Sequence, residues 1–306
     1  MALVARARVR VPASTSNLGP GFDCFGLALA LYNELTLELH TGTGPDLVRI
    51  DGEGEDELPR DGSNLMVKAA RLVLPSGSGR LVFKAVNCIP LGRGLGSSAA
   101  AVLAGLYAGN ALNKKRPRKR FKLLEMACAL EGHPDNAAAA VHGGLVACAP
   151  SEEGLVVAPL RLHKNAAVVV CVPDYALSTQ KSRAALPKKV PLADAVANLS
   201  RSVLLAAALE AGRWAQLATA TQDRLHQPYR APLVRGLEEA LAAARKVGSC
   251  GAFLSGAGPS VAALCPAGLR AVLVGRRMKE AFAKAGVRVR VLTLNPDRAG
   301  VKVLKA

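Results

Sequence analysis

The chain has 306 residues, 50% hydrophobic and 21% charged, which is enough to bury the cores of about two domains and too apolar for a disordered polypeptide. Forty Lys and Arg against 23 Asp and Glu give a net charge of +17, which favours anionic partners: phosphate metabolites, nucleotides, nucleic acid or acidic membranes. Aromatics at 4% disfavour a base-stacking platform, and seven cysteines with no Cys-x-x-Cys pair exclude a disulfide scaffold or zinc ribbon, leaving core thiols in a reducing compartment.

The start has no unbroken apolar stretch that would read as a signal peptide. Residues 5–11 alternate apolar residues with Arg6, Arg8 and Arg10, which predicts a half-buried strand with its arginines outward. A second strand is predicted where Leu35, Leu37 and Leu39 alternate with polar residues. Residues 42–44 and 52–62 read as loops. Helical spacing over 64–74 stops at Pro75, and 81–86 reads as a strand. A glycine loop over 90–96 then opens an Ala-rich helix over 97–112, with Ser97 or Ser98 as its cap.

Residues 114–122 hold seven basic side chains around Pro117; a solvated helix face is the plain reading of that block. A helix through Phe121, Leu124, Ala127 and Leu130 follows, and Pro134 opens a shorter one ending at Gly143-Gly144. Strands are predicted at 154–160, 167–172, 250–254, 261–265 and 287–294. Helices are predicted at 192–210, 213–222, 233–247 and 268–284. Residues 247–269 carry no charge, but their glycines and prolines make them a buried strand-loop-strand and not a membrane helix. The mixed order predicts α+β in both halves.

Four segments carry chemistry. Pro90-Leu91-Gly92-Arg93-Gly94-Leu95-Gly96-Ser97-Ser98-Ala99-Ala100 stands between a strand and a helix. Glycines at alternate positions let the backbone curl round an anion, and the helix start offers free N–H groups. It is neither a Walker loop, lacking a Lys before Ser97, nor a dinucleotide fingerprint. Ser255-Gly256-Ala257-Gly258-Pro259-Ser260 reads as a hairpin connection or as a second close-approach loop. Pro12-Ala13-Ser14-Thr15-Ser16-Asn17-Leu18-Gly19-Pro20-Gly21-Phe22-Asp23 is dense in small polar residues, and its Asn17 and Asp23 can face a cationic group of a small ligand. Glu131-Gly132-His133-Pro134-Asp135-Asn136 is a helix start, and it also places His133 next to Asp135.

Taken together, these segments resemble the three ordered motifs of the GHMP kinase family. Asn17-Leu18-Gly19-Pro20-Gly21-Phe22-Asp23, Gly132-His133-Pro134-Asp135-Asn136 and His226-Gln227-Pro228-Tyr229-Arg230 mark its homoserine branch. The resemblance runs over essentially the whole chain. It implies a two-domain α+β fold: an N-terminal ATP-binding domain over 1–158 with a left-handed βαβ crossover, an exception to the usual handedness, and a ferredoxin-like domain over 159–306. It implies ATP between them, phosphates on Pro90, Leu91, Gly92, Arg93, Gly94, Leu95, Gly96, Ser97, Ser98, Ala99 and Ala100, and Asn64 beside the adenine. It further implies Mg2+ on Ser98 and Glu125, and L-homoserine bound by Asn17, Asp23, Asn136, Arg183 and Arg224, with Thr179 lining the same pocket.

The implied reaction moves the γ-phosphoryl group of ATP to the homoserine hydroxyl, a step of threonine biosynthesis in the cytoplasm, in a homodimer. In mevalonate and galactose relatives an Asp is the proposed base. Asn136 stands in that position here and cannot take a proton. In-line positioning and charge neutralisation by Ser98 and Glu125 would then carry catalysis, with Asp135 as an alternative base. Ala139, where the family usually has Pro, and His142, in a usually apolar place, depart from its pattern. Three other readings compete: a mevalonate- or shikimate-type kinase, a ligand sensor without catalysis, and a basic nucleic-acid-binding protein using 114–122.

Overall fold

The computed structural model describes residues 2–305. The elements run β1 (Leu3–Ser16), β2 (Phe25–His40), β3 (Leu47–Gly52), α1 (Leu65–Val73), β4 (Arg80–Asn87), α2 (Ser97–Leu112), α3 (Arg120–Glu131), α4 (Asp135–His142), β5 (Leu145–Ser151), β6 (Gly154–Leu160), β7 (Ala166–Pro173), α5 (Thr179–Ala184) and α6 (Leu192–Ala211). They continue with α7 (Leu217–Ala220), α8 (Gln227–Arg230), α9 (Leu237–Val247), β8 (Gly251–Leu254), β9 (Val261–Pro266), α10 (Leu269–Lys284), β10 (Val289–Leu294) and β11 (Lys302–Leu304).

The first sheet is ordered β11-β1-β2-β4-β3, with β5 on the early part of β2 and β6 beyond it. The alternation in β1 does what its sequence predicts. Val9 and Val11 are fully buried under the helices. On the other face Arg6 and Arg8 reach Glu38 and Glu34 on β2, and Arg10 lies over the Tyr32 ring. The strand continues past the predicted end to Ser16 by a register shift at Pro12 and Ala13, which carries the polar run 14–16 into the interior. β3 and β4 are parallel neighbours connected through α1.

The second sheet is antiparallel in the order β10-β7-β9-β8, the strand order of a ferredoxin-like domain. β7 is buried on both faces, which explains its unbroken apolar run. Val168, Val170 and Val172 join the core shared with the first sheet, while Ala167, Val169 and Cys171 face the core under α9 and α10. One continuous core thus welds the two sheets together.

Several expectations are corrected. β3, β5, β11 and α5 stand in segments not predicted as regular. The helix expected over 213–222 is a 3-10 turn at Trp214–Gln216 followed by α7, and α9 starts only after Gly236, whose φ is +83°. A division at 158 falls inside β6, and β11 returns the chain's end to β1 in the first sheet. The cap of α2 is Gly96 in the left-handed region, not a serine side chain. Ala139 lies within an unbroken α4, with His142 at that helix's end. Of the seven free cysteines, four are buried and Cys88 is exposed; burial pushes the Cys148 thiol up to about 12, so it is inert. α6 is long and apolar enough to cross a bilayer, yet Asn198, Leu205, Ala208 and Leu209 are packed into the protein.

Candidate active site

Three loops meet where the sheets join. In the first, Gly92, Gly94 and Gly96 all adopt positive φ, between +59° and +71°. A Cβ on Gly94 would stand 2.1 Å from the Ser255 carbonyl oxygen, and one on Gly96 would stand 2.1 Å from Ser14 Oγ. Only glycine permits both the backbone turn and the close approach. The 16-residue α2 then begins with no acidic residue in its first turn and no side-chain cap. Its first N–H groups lack intrahelical acceptors and point, with the positive end of the helix dipole, to the cleft lined by Gly92, Gly94, Gly96, Ser97 and Ser98.

The other two loops brace the first. Ser255 Oγ donates to Gly94 O at 2.6 Å, Ser14 N donates to Leu95 O at 3.1 Å, and Thr15 Oγ1 and Ser255 Oγ are 2.8 Å apart. Asn17 Nδ2 donates to Gly256 O at 3.0 Å, and Asn17 Oδ1 accepts from Asp23 N at 3.0 Å. Asn17 and Asp23 both take positive φ, which suits these two residue types better than most. The turn lifts the Asp23 carboxylate into the cleft.

Across the cleft Arg183, on α5, grips Asp23 in a two-pronged pair at 2.7 and 3.0 Å. Thr179, at the start of α5, lines the same space. Beneath them lies Arg230, only 2% exposed, which donates to Ser182 O, Gly256 O and His226 Nδ1. Burial lowers its pKa to about 10, and no carboxylate pairs with it directly among the described residues. His226 is wholly buried, with Nε2 2.7 Å from Gly19 O. Gly19 O can only accept and Arg230 can only donate, so the ring is the neutral Nε2–H tautomer. Burial lowers the His226 pKa, in keeping with that state.

The remaining wall comes from the start of α4. Asn136 is clamped at both ends: Oδ1 accepts from Ser14 Oγ at 2.9 Å, and Nδ2 donates to Ser16 Oγ at 3.0 Å. Asp135 Oδ1 accepts from Asn136 N at 2.6 Å and contacts His133 Nδ1 at 3.1 Å. That bond raises the His133 pKa. Ser98 Oγ donates to Glu131 Oε1 at 2.6 Å, at the mouth of the glycine loop. Burial pushes the Glu131 carboxyl up, and the Ser98 hydrogen bond pulls it back in part.

The structure therefore brings together Asn17, Asp23, Ser98, Asn136, Thr179, Arg183 and the loop residues Pro90, Gly92, Arg93, Gly94, Leu95, Gly96 and Ser97. Others it does not. Glu125 lies six residues before Glu131, about 240° around the same helix. It pairs with Lys122 at 3.1 Å and does not line the cleft, so the carboxylate beside Ser98 is Glu131. Arg224 points away to Asp194 at 3.2 Å, and the arginine that joins Arg183 opposite the glycine loop is Arg230. Both groups of the Asn64 side chain serve the chain itself: Oδ1 caps α1 through Met66 N, and Nδ2 donates to Pro59 O. Leu91 does not line the cleft, and Ala99 and Ala100 are buried in α2. The basic block 114–122 follows the other end of α2, about 24 Å from the cleft by helix length. Asn110 fastens it by bonds to Arg118 N and O.

Glu131 and Arg230 escaped sequence reasoning, although each left a signal. A carboxylate in the last turn of a helix opposes the helix dipole, so Glu131 before Gly132 needs another reason to be there. Arg230 ends the His-Gln-Pro-Tyr-Arg run, but nothing local says that it is buried.

Comparisons with known proteins bear on the family and the fold. Residues 64–144 match the GHMP kinases N terminal domain and residues 205–284 match the GHMP kinases C terminal domain. A homoserine kinase of Moorella thermoacetica is 44% identical over 300 residues, 97% of this chain and 99% of that protein. One from Aquifex aeolicus is 38% identical, covering 97% of this chain and 99% of its own. The crystal structure of homoserine kinase from Cytophaga hutchinsonii superposes with a TM-score of 0.86 at 29% identity, covering 99% of both chains. Leishmania major mevalonate kinase, at 19% identity and a TM-score of 0.70 over 96% of this chain and 97% of that one, shares the fold. With the motifs, the two-sheet architecture and near-full-length relatives in agreement, the chain belongs to the GHMP kinase family, in its homoserine kinase branch.

Proposed function

We propose that this protein phosphorylates L-homoserine with ATP, giving O-phosphohomoserine and ADP. The observation that carries the reading is the spacing of charge in one cleft. Free helix N–H groups and three glycines stand on one side, while Asp23, Arg183 and Arg230 stand on the other. The first set suits a triphosphate, and the second suits an amino acid with one ammonium and one carboxylate group. In this reading the acceptor's ammonium takes the place of Arg183 at Asp23. Its carboxylate meets the guanidinium groups of Arg183 and Arg230, and Asn17 and Thr179 border it.

The hydroxyl and carboxylate oxygens of Ser98 and Glu131 form a hard-donor pair of the kind magnesium prefers, and Glu131 is raised by burial as an acceptor short of positive charge would be. They would hold Mg2+, which when bound neutralises phosphate charge. The protein's own part is positional. The glycine loop fixes the phosphates, and Ser14 and Ser16 lock the Asn136 amide so that it can orient the acceptor hydroxyl. The hydroxyl proton passes to the transferred phosphoryl group, because Asn136 cannot accept it. Among the described residues Asp135 is the one buried carboxylate beside that amide, so an Asp135→Asn enzyme tests it as a base: turnover within threefold of the parent leaves positioning as the mechanism. A cytoplasmic setting and a homodimer belong to the same reading.

The deciding experiment is ADP release with magnesium-ATP against homoserine, mevalonate, shikimate, galactose and no acceptor. Turnover on homoserine alone is expected. Turnover on mevalonate or shikimate in its place would overturn the roles given to Asp23, Arg183 and Arg230.

A further inference from the structure

A second cavity, of about 380 Å³, lies beside α8, with Gln227 and Pro228 in its wall. That volume falls in the range of small-molecule sites. Three arginines from separate elements line it: Arg201 of α6, Arg224 of the turn before α8, and Arg245 of α9. Arg224 pairs with Asp194 at 3.2 Å, while the acids in the wall, Asp223 and Glu238, pair with none of the three among the described residues. Asp223 is committed inward, accepting from Asn198 Nδ2 and from the N–H groups of Leu225, His226 and Gln227. Glu238 makes no ion pair among the described residues, and neither do Arg201 and Arg245. Arg245 Nε is buried with no hydrogen-bond partner, and burial lowers the pKa of its guanidinium. A buried donor on a cation facing a cavity calls for an acceptor.

We infer that this cavity is a second ligand site, for a small metabolite bearing a phosphate or carboxylate group. The short helix α8 connects it to the catalytic cleft. Pro228 lines the second cavity, and Arg230, two residues on, lines the first. Gln227 accepts from Leu254 N at 2.6 Å, just before the 255–260 loop. Asn198, bound to Asp223, donates to Pro20 O in the segment that carries Asn17 and Asp23. An anion that competes with Asp194 for Arg224 acts on the turn that seats Arg230, so occupancy changes the KM for the acceptor. This coupling rests on the proposed role of Arg230, whereas the binding itself does not.

Calorimetric titration of the full chain with inorganic phosphate, and separately with malonate, tests the site. ADP and homoserine are held saturating so that the catalytic cleft is filled. One anion per chain is expected, bound about tenfold more weakly by Arg245→Met and beyond detection by the Arg201→Met, Arg245→Met double variant. Arg245→Lys restores part of the affinity. Melting temperatures alongside confirm that each variant is folded. In turnover assays the anion shifts the acceptor KM at least about threefold in the parent and not in the double variant, whose anion-free kcat is unchanged. Tighter phosphate assigns a phosphate ester, and tighter malonate assigns a carboxylate. No binding to the ADP-loaded protein, or equal affinity in the folded double variant, overturns the site. Binding without any KM shift overturns the coupling. A protein that binds the anion but phosphorylates no acceptor overturns the proposed function and leaves the site standing.

Discussion

The loops at 90–96 and 255–260 are both rich in glycine, each with one proline, and touch each other, yet they are built differently. The first leads into a helix, so its glycines deliver free N–H groups and a helix dipole to the cleft. The second leads into a strand and closes on itself through Ser255 N to Ser260 O and Gly258 N to Ser255 O. Its remaining polar groups hold the first loop and the 12–23 segment in place. Glycine content therefore marks where backbones come close. The element that follows decides whether the loop presents free N–H groups to the cleft or braces one that does.

The largest change that separates the two roles is Gly94→Ala. Its Cβ would meet the Ser255 carbonyl at 2.1 Å with φ at +71°, so the contact between the loops must open. A loss of about 3–5 kcal/mol in urea unfolding is expected, together with loss of nucleotide binding. Arg183→Met comes next. It removes the partner of Asp23 and a proposed acceptor contact without touching either loop, and kcat/KM for homoserine should fall about 100-fold while the KM for ATP holds. Glu131→Gln is expected to lower kcat about 30-fold and to raise the magnesium requirement, whereas Glu125→Gln stays within about twofold. The reverse ranking would mean that the sequence motif, and not the position beside Ser98, selects the metal carboxylate. Ser255→Ala, which removes only a brace, should cost about 1 kcal/mol and move the KM for ATP slightly.

The smallest effect is one of pH. His226 is held neutral behind both loops with its pKa lowered from 6.5. The unfolded chain takes up a proton that the folded one refuses, so this residue lowers stability as the pH falls below about 6.5 and has no effect well above it. His133, raised by Asp135, acts in the opposite sense, its stabilisation fading as the pH rises through its folded value. Unfolding free energies between pH 7.5 and 5.5 should therefore lose part of their acid slope in His226→Gln, by less than one proton. An unchanged slope would place the acid sensitivity elsewhere.

Much of this was legible before any fold was known. Period-two alternation gave β1 and its outward arginines. The uncharged run 247–269 gave the β8-β9 pair, and the strand-glycine-helix order gave the glycine loop that opens α2. These signals are local: each rests on residues within about a dozen positions, where periodicity and glycine geometry act directly on the backbone. The segments that local patterns missed are those whose structure depends on distant partners. β11 exists because β1 offers it an edge, and β5 exists because it pairs with the early part of β2.

The site divides in the same way. Sequence alone pointed to the loops that meet in the cleft, and it named Asn17, Asp23, Ser98, Asn136, Thr179 and Arg183, all of which line it, because motif order and residue type limit what such segments can do. Only the tertiary structure decided which of two glutamates on α3 faces Ser98, which of two arginines around α8 is buried in the cleft, and that Asn64 caps its own helix. Those choices turn on rotation about a helix axis and on which neighbour fills the space beside it. A side chain's direction is set by packing against residues far away in the chain, and no short stretch of sequence contains that packing.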